Sequence, residues 1–302
     1  MSQAVTTKFG PPVISVDVED WPQSTWDHTL PVTERAARNT NHLLDLLDKH
    51  DVRATMFVLG LVAEKFPEIV KRIYREGHEV GCHTYGHLEV FHKTREQMFE
   101  NTRRAKDLLE QTIGERVRGY RAADFSIVRT SLWGLEVLAE LGFDYDSSIF
   151  PVNRPRYGIP NWPRYPTFVD LPNGLRILEF PIASLHGLGK NWPVGGGGYH
   201  RLLPGWLSRR LARRVLAETP FVFYCHPYEF DPREFAEIDV PVPWKVRLHQ
   251  GLGRAGFEGR FVSFLKTFGG QRFVDLIDNQ DWPTIRANDF AADSQTKHSA
   301  IL

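Results

Sequence analysis

Short apolar runs of strand character alternate with amphipathic stretches of helical spacing along most of this chain, and that alternation constrains the fold most. "PVISVDVED" (12–20) begins with β-branched alternation and ends in acids. "TERAARNTNHLLDLLDKHDV" (33–52) carries apolar residues at helical spacing. "RATMFVLG" (53–60) reads as a buried strand stopped by glycine, and 62–77 as a helix stopped by Gly77. A short strand at 78–83 and a long charged helix at 94–113 follow. Further strands are predicted at 117–122, 143–148, 176–183 and 221–227, with helices at 130–141, 204–218 and 243–255. Repeated βα units predict an α/β fold with a parallel sheet, and about seven of them a closed or nearly closed barrel.

In such barrels chemistry collects where strands end, because the loops there converge. The sequence meets that demand. Asp17–Asp20, His83, Arg121, Asp144, Asp146 and His226 all sit at or just beyond predicted strand ends. Residues 151–175 and the glycine-rich "NWPVGGGGYH" (191–200) read as long loops, which tend to be functional or mobile. The glycine run suits a lid, a close backbone approach or a plain loop, and not a phosphate cradle, since no Gly-Lys-Ser/Thr follows. The last twenty or so residues lack periodicity and read as a frayed tail.

Several function classes drop out. Lys+Arg and Asp+Glu number 37 each, so no bulk charge favours nucleic acid, and no basic stripe with interleaved aromatics occurs. No stretch approaches the ~18 apolar residues that span a bilayer. Hydrophobic residues at 42% provide for a substantial core. "MSQAVTTKFGPP" lacks the pattern of a signal peptide, and two cysteines make no disulfide framework, so a cytoplasmic protein is expected.

"GCHTYGH" (81–87) places two histidines four apart. A catalytic zinc-type site needs three protein ligands with one position open, so an oxygen ligand must come from elsewhere. The acidic end of the first strand offers it, because side chains alternate and Asp17 and Glu19 therefore share a face. Asp20 faces away unless the strand has already turned. Cys82 and Cys225 each precede a strand-end histidine, so their thiols should point into packing.

Taken in order, Asp17-x-Glu19, His83-x3-His87, Arg121, "DYDSS" (144–148) and a final strand ending in His226 resemble the polysaccharide deacetylase family (NodB-homology, carbohydrate esterase family 4). The resemblance spans roughly residues 12–230 and is strongest over 54–87. "DVEDW", "GGGGYH" and "HPYEFDP" are similar to its cytoplasmic branch that serves bacterial surface-polysaccharide (O-antigen) biosynthesis. The resemblance implies a deformed (β/α)7 barrel. It implies one catalytic domain over 1–282, with a core at 12–230 and a helical extension at 232–282, followed by a flexible tail at 283–302. It matches Asp17 to the general base, His83 and His87 to the metal histidines, Arg121 to the residue that orients the base, and His226 to the general acid. A carboxylate shortly after the base completes the ligand set, with Glu19 favoured by alternation and Asp20 the runner-up. The metal implied is divalent, zinc first.

Two departures stand out. Val18 separates the acids that the family usually has adjacent, and Ala123 replaces the proline of its Arg-x-Pro motif. The activity implied is removal of an N-acetyl group from an amino sugar, on a nucleotide- or lipid-linked precursor. A cyclic amide or ureide hydrolase and a catalytically silent carbohydrate-binding protein are the alternatives. Oligomerisation is open. Trp21, Trp26, Trp162 and Trp192 are expected near the mouth, where sugar stacking and core packing compete. Glu229 and Asp231 are read as supports for His226, with capping of the next segment the alternative, and Asp146 as a candidate site acid, while His78, His92 and His200 are read as surface.

Overall fold

The computed structural model describes residues 8–278 and 281–291. The first strands are β1 (Val13–Val18), β2 (Thr55–Val58), β3 (Glu79–Cys82), β4 (Gly119–Tyr120) and β5 (Tyr145–Asp146). Then come β6 (Thr167–Asp170), β7 (Arg176–Glu179), β8 (Ser184–Gly187) and β9 (Lys190–Pro193). β10 (Val222–Cys225) and β11 (Thr284–Arg286) complete the set. Seven strands in the order β10-β1-β2-β3-β4-β5-β7 are mutually parallel, the deformed (β/α)7 arrangement expected. β6 runs antiparallel to β7, β11 extends that edge, and β8–β9 is a separate hairpin.

The alternation in β1 decides the layers. Ile14, Val16 and Val18 pack outward with Leu43, Leu44 and Leu47, while Ser15 and Asp17 point into the barrel. Full burial of each leucine stabilises the fold by about 1.5–3 kcal/mol. The barrel's lower interior is largely aromatic, with Phe57, Tyr145, Phe180 and Phe273 in contact. Cys82 and Cys225 lie in the outer core as free thiols, as alternation predicts.

α1 (Glu34–Lys49) starts where the Thr33 hydroxyl accepts the Arg35 N–H. The stretch read as one helix over 62–77 is two, α2 (Gly60–Lys65) and α3 (Pro67–Arg75). Pro67 has no N–H to donate and drives Phe66 out of helical geometry, which splits them. α4 (Arg95–Ile113) has a reciprocal Thr94–Gln97 cap and stops at left-handed Gly114. α5 (Gly134–Glu140), α6 (Gly197–Leu202) and α7 (Gly205–Leu216) follow.

The two ends of the parallel arc meet along a seam made by residues 183–196. Ala183 N–H donates to Val222 O, and Tyr224 N–H donates to Gly195 O at 2.8 Å. The glycine run therefore serves close approach. A Cβ on Gly195 would lie 2.3 Å from Val222 O.

Three expectations are corrected. Residues 151–175 contain β6, and 191–200 contain the end of β9 and the start of α6, so neither is structureless. The stretch read as a flexible tail from 283 includes β11, too short to show a period; 292–302 lie outside the described residues. His78 and His200 are buried.

Candidate active site

β1 delivers Asp17 and, just past its end, Glu19; both are almost fully buried. Across the sheet Arg121 directly follows β4; it is 0% exposed and lies 4.3 Å over the Phe57 ring. Its Nη1 donates to Asp17 Oδ1 at 2.8 Å and Ser15 Oγ at 2.9 Å. Its Nε and Nη2 donate to Ser147 O and Ser147 Oγ. A guanidinium so tied presents Asp17 with a fixed charge-assisted bond, leaving Asp17 Oδ2 toward the cavity.

The histidine pair sits on a sharp loop after β3. Thr84 and His87 both adopt left-handed backbone, with φ of 59° and 61°. For a β-branched threonine this costs about 1–3 kcal/mol. The loop is held by Thr84 Oγ1 donating to Asn101 Oδ1 at 2.8 Å, Tyr85 N–H donating to the same oxygen, and Gly60 N–H donating to Thr84 O. That bend turns His87 back beside His83. His83 Nδ1 donates to Arg121 O at 2.9 Å, which turns Nε2 toward Glu19 Oε2 at 3.3 Å. His87 Nε2 is 2.8 Å from the same oxygen.

One ligand atom from each of Glu19, His83 and His87 lies within 4.8 Å of the others. Glu19 Oε2 is buried without an aligned hydrogen-bond donor. Burial opposes ionisation of Glu19, yet the His87 and His83 imidazoles outweigh it and hold the carboxyl well below its usual range. A buried anionic oxygen and two imidazoles converging without mutual satisfaction fit a divalent cation with N and O ligands. Asp20 is turned away; its carboxylate accepts the Thr33 N–H at 2.6 Å. Burial pushes Asp20 up to about 6.

His226 follows β10 and faces the carboxylates, its Nε2 lying 3.9 Å from Asp17 Oδ2 and 3.6 Å from Glu19 Oε1. Its backbone N–H donates to Glu229 Oε2, and its Nδ1 lies 3.3 Å from that oxygen. Tyr228 stacks on the ring at 4.8 Å. Burial lowers the His226 pKa, but Glu229, Glu19 and Asp17 outweigh it and raise it to about 9. Arg201 Nε, 3.0 Å from Glu229 Oε1, balances that carboxylate. Arg201 was not anticipated, because a helical arginine 25 residues before His226 leaves no local signal.

The cavity above these groups is about 220 Å³ and is also lined by Asp124, Arg156, Tyr157 and Tyr224, none of them among the expected site residues. Asp146 does not line it. It lies beneath, accepting from Ser148 Oγ beside Glu179. Burial and the Asp146 carboxylate push the Glu179 pKa well above its usual range. Asp144 faces outward to Arg116 and Arg118. Trp21 and Trp162 are buried, and none of Trp21, Trp26, Trp162 and Trp192 lines the cavity.

Residues 10–145 match the polysaccharide deacetylase family model, and residues 147–278 match a domain of unknown function (DUF3473). A peptidoglycan-N-acetylglucosamine deacetylase of Bacillus cereus is 37% identical over 98 residues, 32% of this chain and 36% of that protein. This chain thus matches about a third of that relative's length. Among solved structures, a Mycobacterium smegmatis protein assigned as a polysaccharide deacetylase superposes with a TM-score of 0.59 at 17% identity, covering 99% of this chain and 98% of that one. The PuuE allantoinase superposes at 0.59 with 15% identity over 88% of each chain. These likenesses establish a shared fold. The groups around the cavity come from both matched segments, the one similar to polysaccharide deacetylases and the one that follows it.

Proposed function

We propose that this protein is a metal-dependent hydrolase that removes the N-acetyl group of an amino sugar. The observation that carries the reading is the meeting of three things in one small cavity: an arginine-tied Asp17, the Glu19–His83–His87 group, and His226 on the opposite wall. A divalent cation held by Glu19, His83 and His87, zinc in this reading, supplies Lewis acidity toward an acyl oxygen and a lowered water pKa.

The chain's own residues do the rest. Asp17 Oδ2 takes the proton of the attacking water, while Arg121 holds Oδ1 and fixes the orientation of the carboxylate. His226 enters protonated and gives its proton to the departing amine nitrogen, leaving a free amino sugar and acetate. The developing oxyanion needs a backbone donor near 122–125. Ala122 N–H is engaged by Ser148 Oγ and Phe125 N–H by Ala122 O, which directs that role to Ala123 or Asp124.

The named substrate of the Bacillus cereus relative is peptidoglycan N-acetylglucosamine. For this chain we assign a nucleotide- or lipid-linked precursor of a bacterial surface polysaccharide, in the cytoplasm. Two free cysteines buried in the core favour the reducing compartment.

The test measures metal content and acetate release from a UDP-N-acetylhexosamine, from free N-acetylhexosamine and from peptidoglycan, before and after chelation. Chelator-sensitive acetate release is expected, with the nucleotide sugar preferred. Ureide hydrolysis without acetate release would replace this reading with the activity named for the allantoinase that shares the fold. Sugar binding without turnover would leave a silent carbohydrate-binding protein.

A further inference from the structure

A second concavity of about 570 Å³ lies between the loop over 152–164 and the β8–β9 hairpin. The chain as a whole is charge-balanced, yet this groove is lined by Arg154, Arg164, Lys190 and His186 and by no aspartate or glutamate. Arg154 spends one N–H on the neutral Tyr199 hydroxyl, and Lys190 sits 4.1 Å over the Trp192 ring. Neither forms an ion pair among the described residues. Arg164 is already paired with Glu218 through Nη2 at 3.0 Å. The unpaired charge in the groove is positive, carried by Arg154 and Lys190. A neutral sugar offers donors and acceptors in equal measure. A phosphate or pyrophosphate offers acceptors and negative charge only, and guanidinium forks match its geometry.

Position links the groove to the reaction. Arg154 lines the groove, whereas Arg156 and Tyr157, two and three residues on, line the catalytic cavity. Tyr199, which accepts from Arg154, follows Gly198 of the catalytic wall. The segment 154–157 thus contributes to the walls of both concavities. The 43% exposed Trp192 offers a ring at the far wall of the groove.

We infer that this groove is a phosphate subsite that holds the phosphate or pyrophosphate of a carrier joined to the acylated sugar. It deepens the deacetylase reading and rests on it for the identity of the sugar.

Inorganic pyrophosphate, UDP and a short-chain prenyl pyrophosphate are titrated calorimetrically into the full chain, metal-loaded and after metal removal by dialysis. The same titrations are run on an Arg154→Ala/Lys190→Ala variant. Both side chains are solvent-exposed, so the variant should fold, which its melting temperature checks. Pyrophosphate should bind with or without metal, and at least about tenfold more weakly to the variant. KM for the UDP-linked sugar should rise by a similar factor in Lys190→Ala, with kcat and the KM for free N-acetylhexosamine unchanged. UDP binding more tightly than pyrophosphate, with quenching of Trp192 fluorescence, identifies a nucleotide carrier; tighter prenyl pyrophosphate identifies a lipid one. Equal affinity in wild type and variant overturns the proposal, as does pyrophosphate binding that disappears with the metal. Groove binding without acetate release would sink the deacetylase reading alone. Acetate release without groove binding would sink the subsite alone.

Discussion

Glu19 and Asp20 are neighbours with opposite duties, and the difference between them is measurable. Glu19 Oε2 meets both imidazoles, while Asp20 anchors the start of α1 through Thr33. Glu19→Ala is expected to lose bound metal and keep its melting temperature to within a few degrees. Asp20→Ala should keep the metal and lose about 1–3 kcal/mol of stability, since the partly buried Thr33 N–H is left without its acceptor. Metal analysis beside thermal melting separates the two, and metal loss in Asp20→Ala would reverse the assignment. Asp17→Asn should keep metal and lower kcat by at least about a hundredfold, the scale of a lost general base. At this scale the sequence was informative where the period of two applies. It put Asp17 and Glu19 on one face and turned both cysteines outward. It misjudged Asp146, because a two-residue strand gives no alternation to read, and it missed Arg201 and Tyr157, which arrive from distant segments.

Long amphipathic elements were legible and short ones were not. α1 and α4 combine helical spacing with caps written in the sequence, Thr33 for one and Thr94 with Gly114 for the other. β6, β8, β9 and β11 have three or four residues each and alternate too briefly to stand out among prolines and arginines. The tetraglycine run was ambiguous for a related reason, since what it fits against lies on other strands. Its residues now make distinct predictions. Gly195→Ala puts a Cβ 2.3 Å from a backbone oxygen in the seam and should cost about 1–3 kcal/mol in denaturant unfolding. Gly197→Ala meets Glu229 Oε2 at 2.2 Å and should depress kcat more than stability, by displacing the carboxylate that holds His226. Gly198→Ala has only a flexible Arg201 nitrogen within 4 Å and should leave stability unchanged. Equal melting temperatures for all three variants would refute the close-approach account.

Across the whole molecule two buried histidines couple folding to pH. His78 accepts the Ala54 N–H on Nδ1 and His200 bonds Val194 O; burial depresses both from 6.5 to about 4. Between those values the unfolded chain binds protons that the folded one refuses, so stability falls as pH drops from about 6.5 toward 4. Each histidine contributes on the order of 2 kcal/mol to that loss. Melting temperatures at pH 7 and pH 5 check it, with His200→Gln expected to show a shallower slope and an unchanged slope counting against this origin.

The catalytic cavity draws on two segments that match separate family models. Severing the backbone after Asp146 would give one fragment the imidazoles of His83 and His87 and the other the imidazole of His226. Neither piece inherits a working set, so neither could be exchanged for a foreign counterpart without spoiling the fit at the other. A recombinant that keeps only its own first half should therefore come out inert.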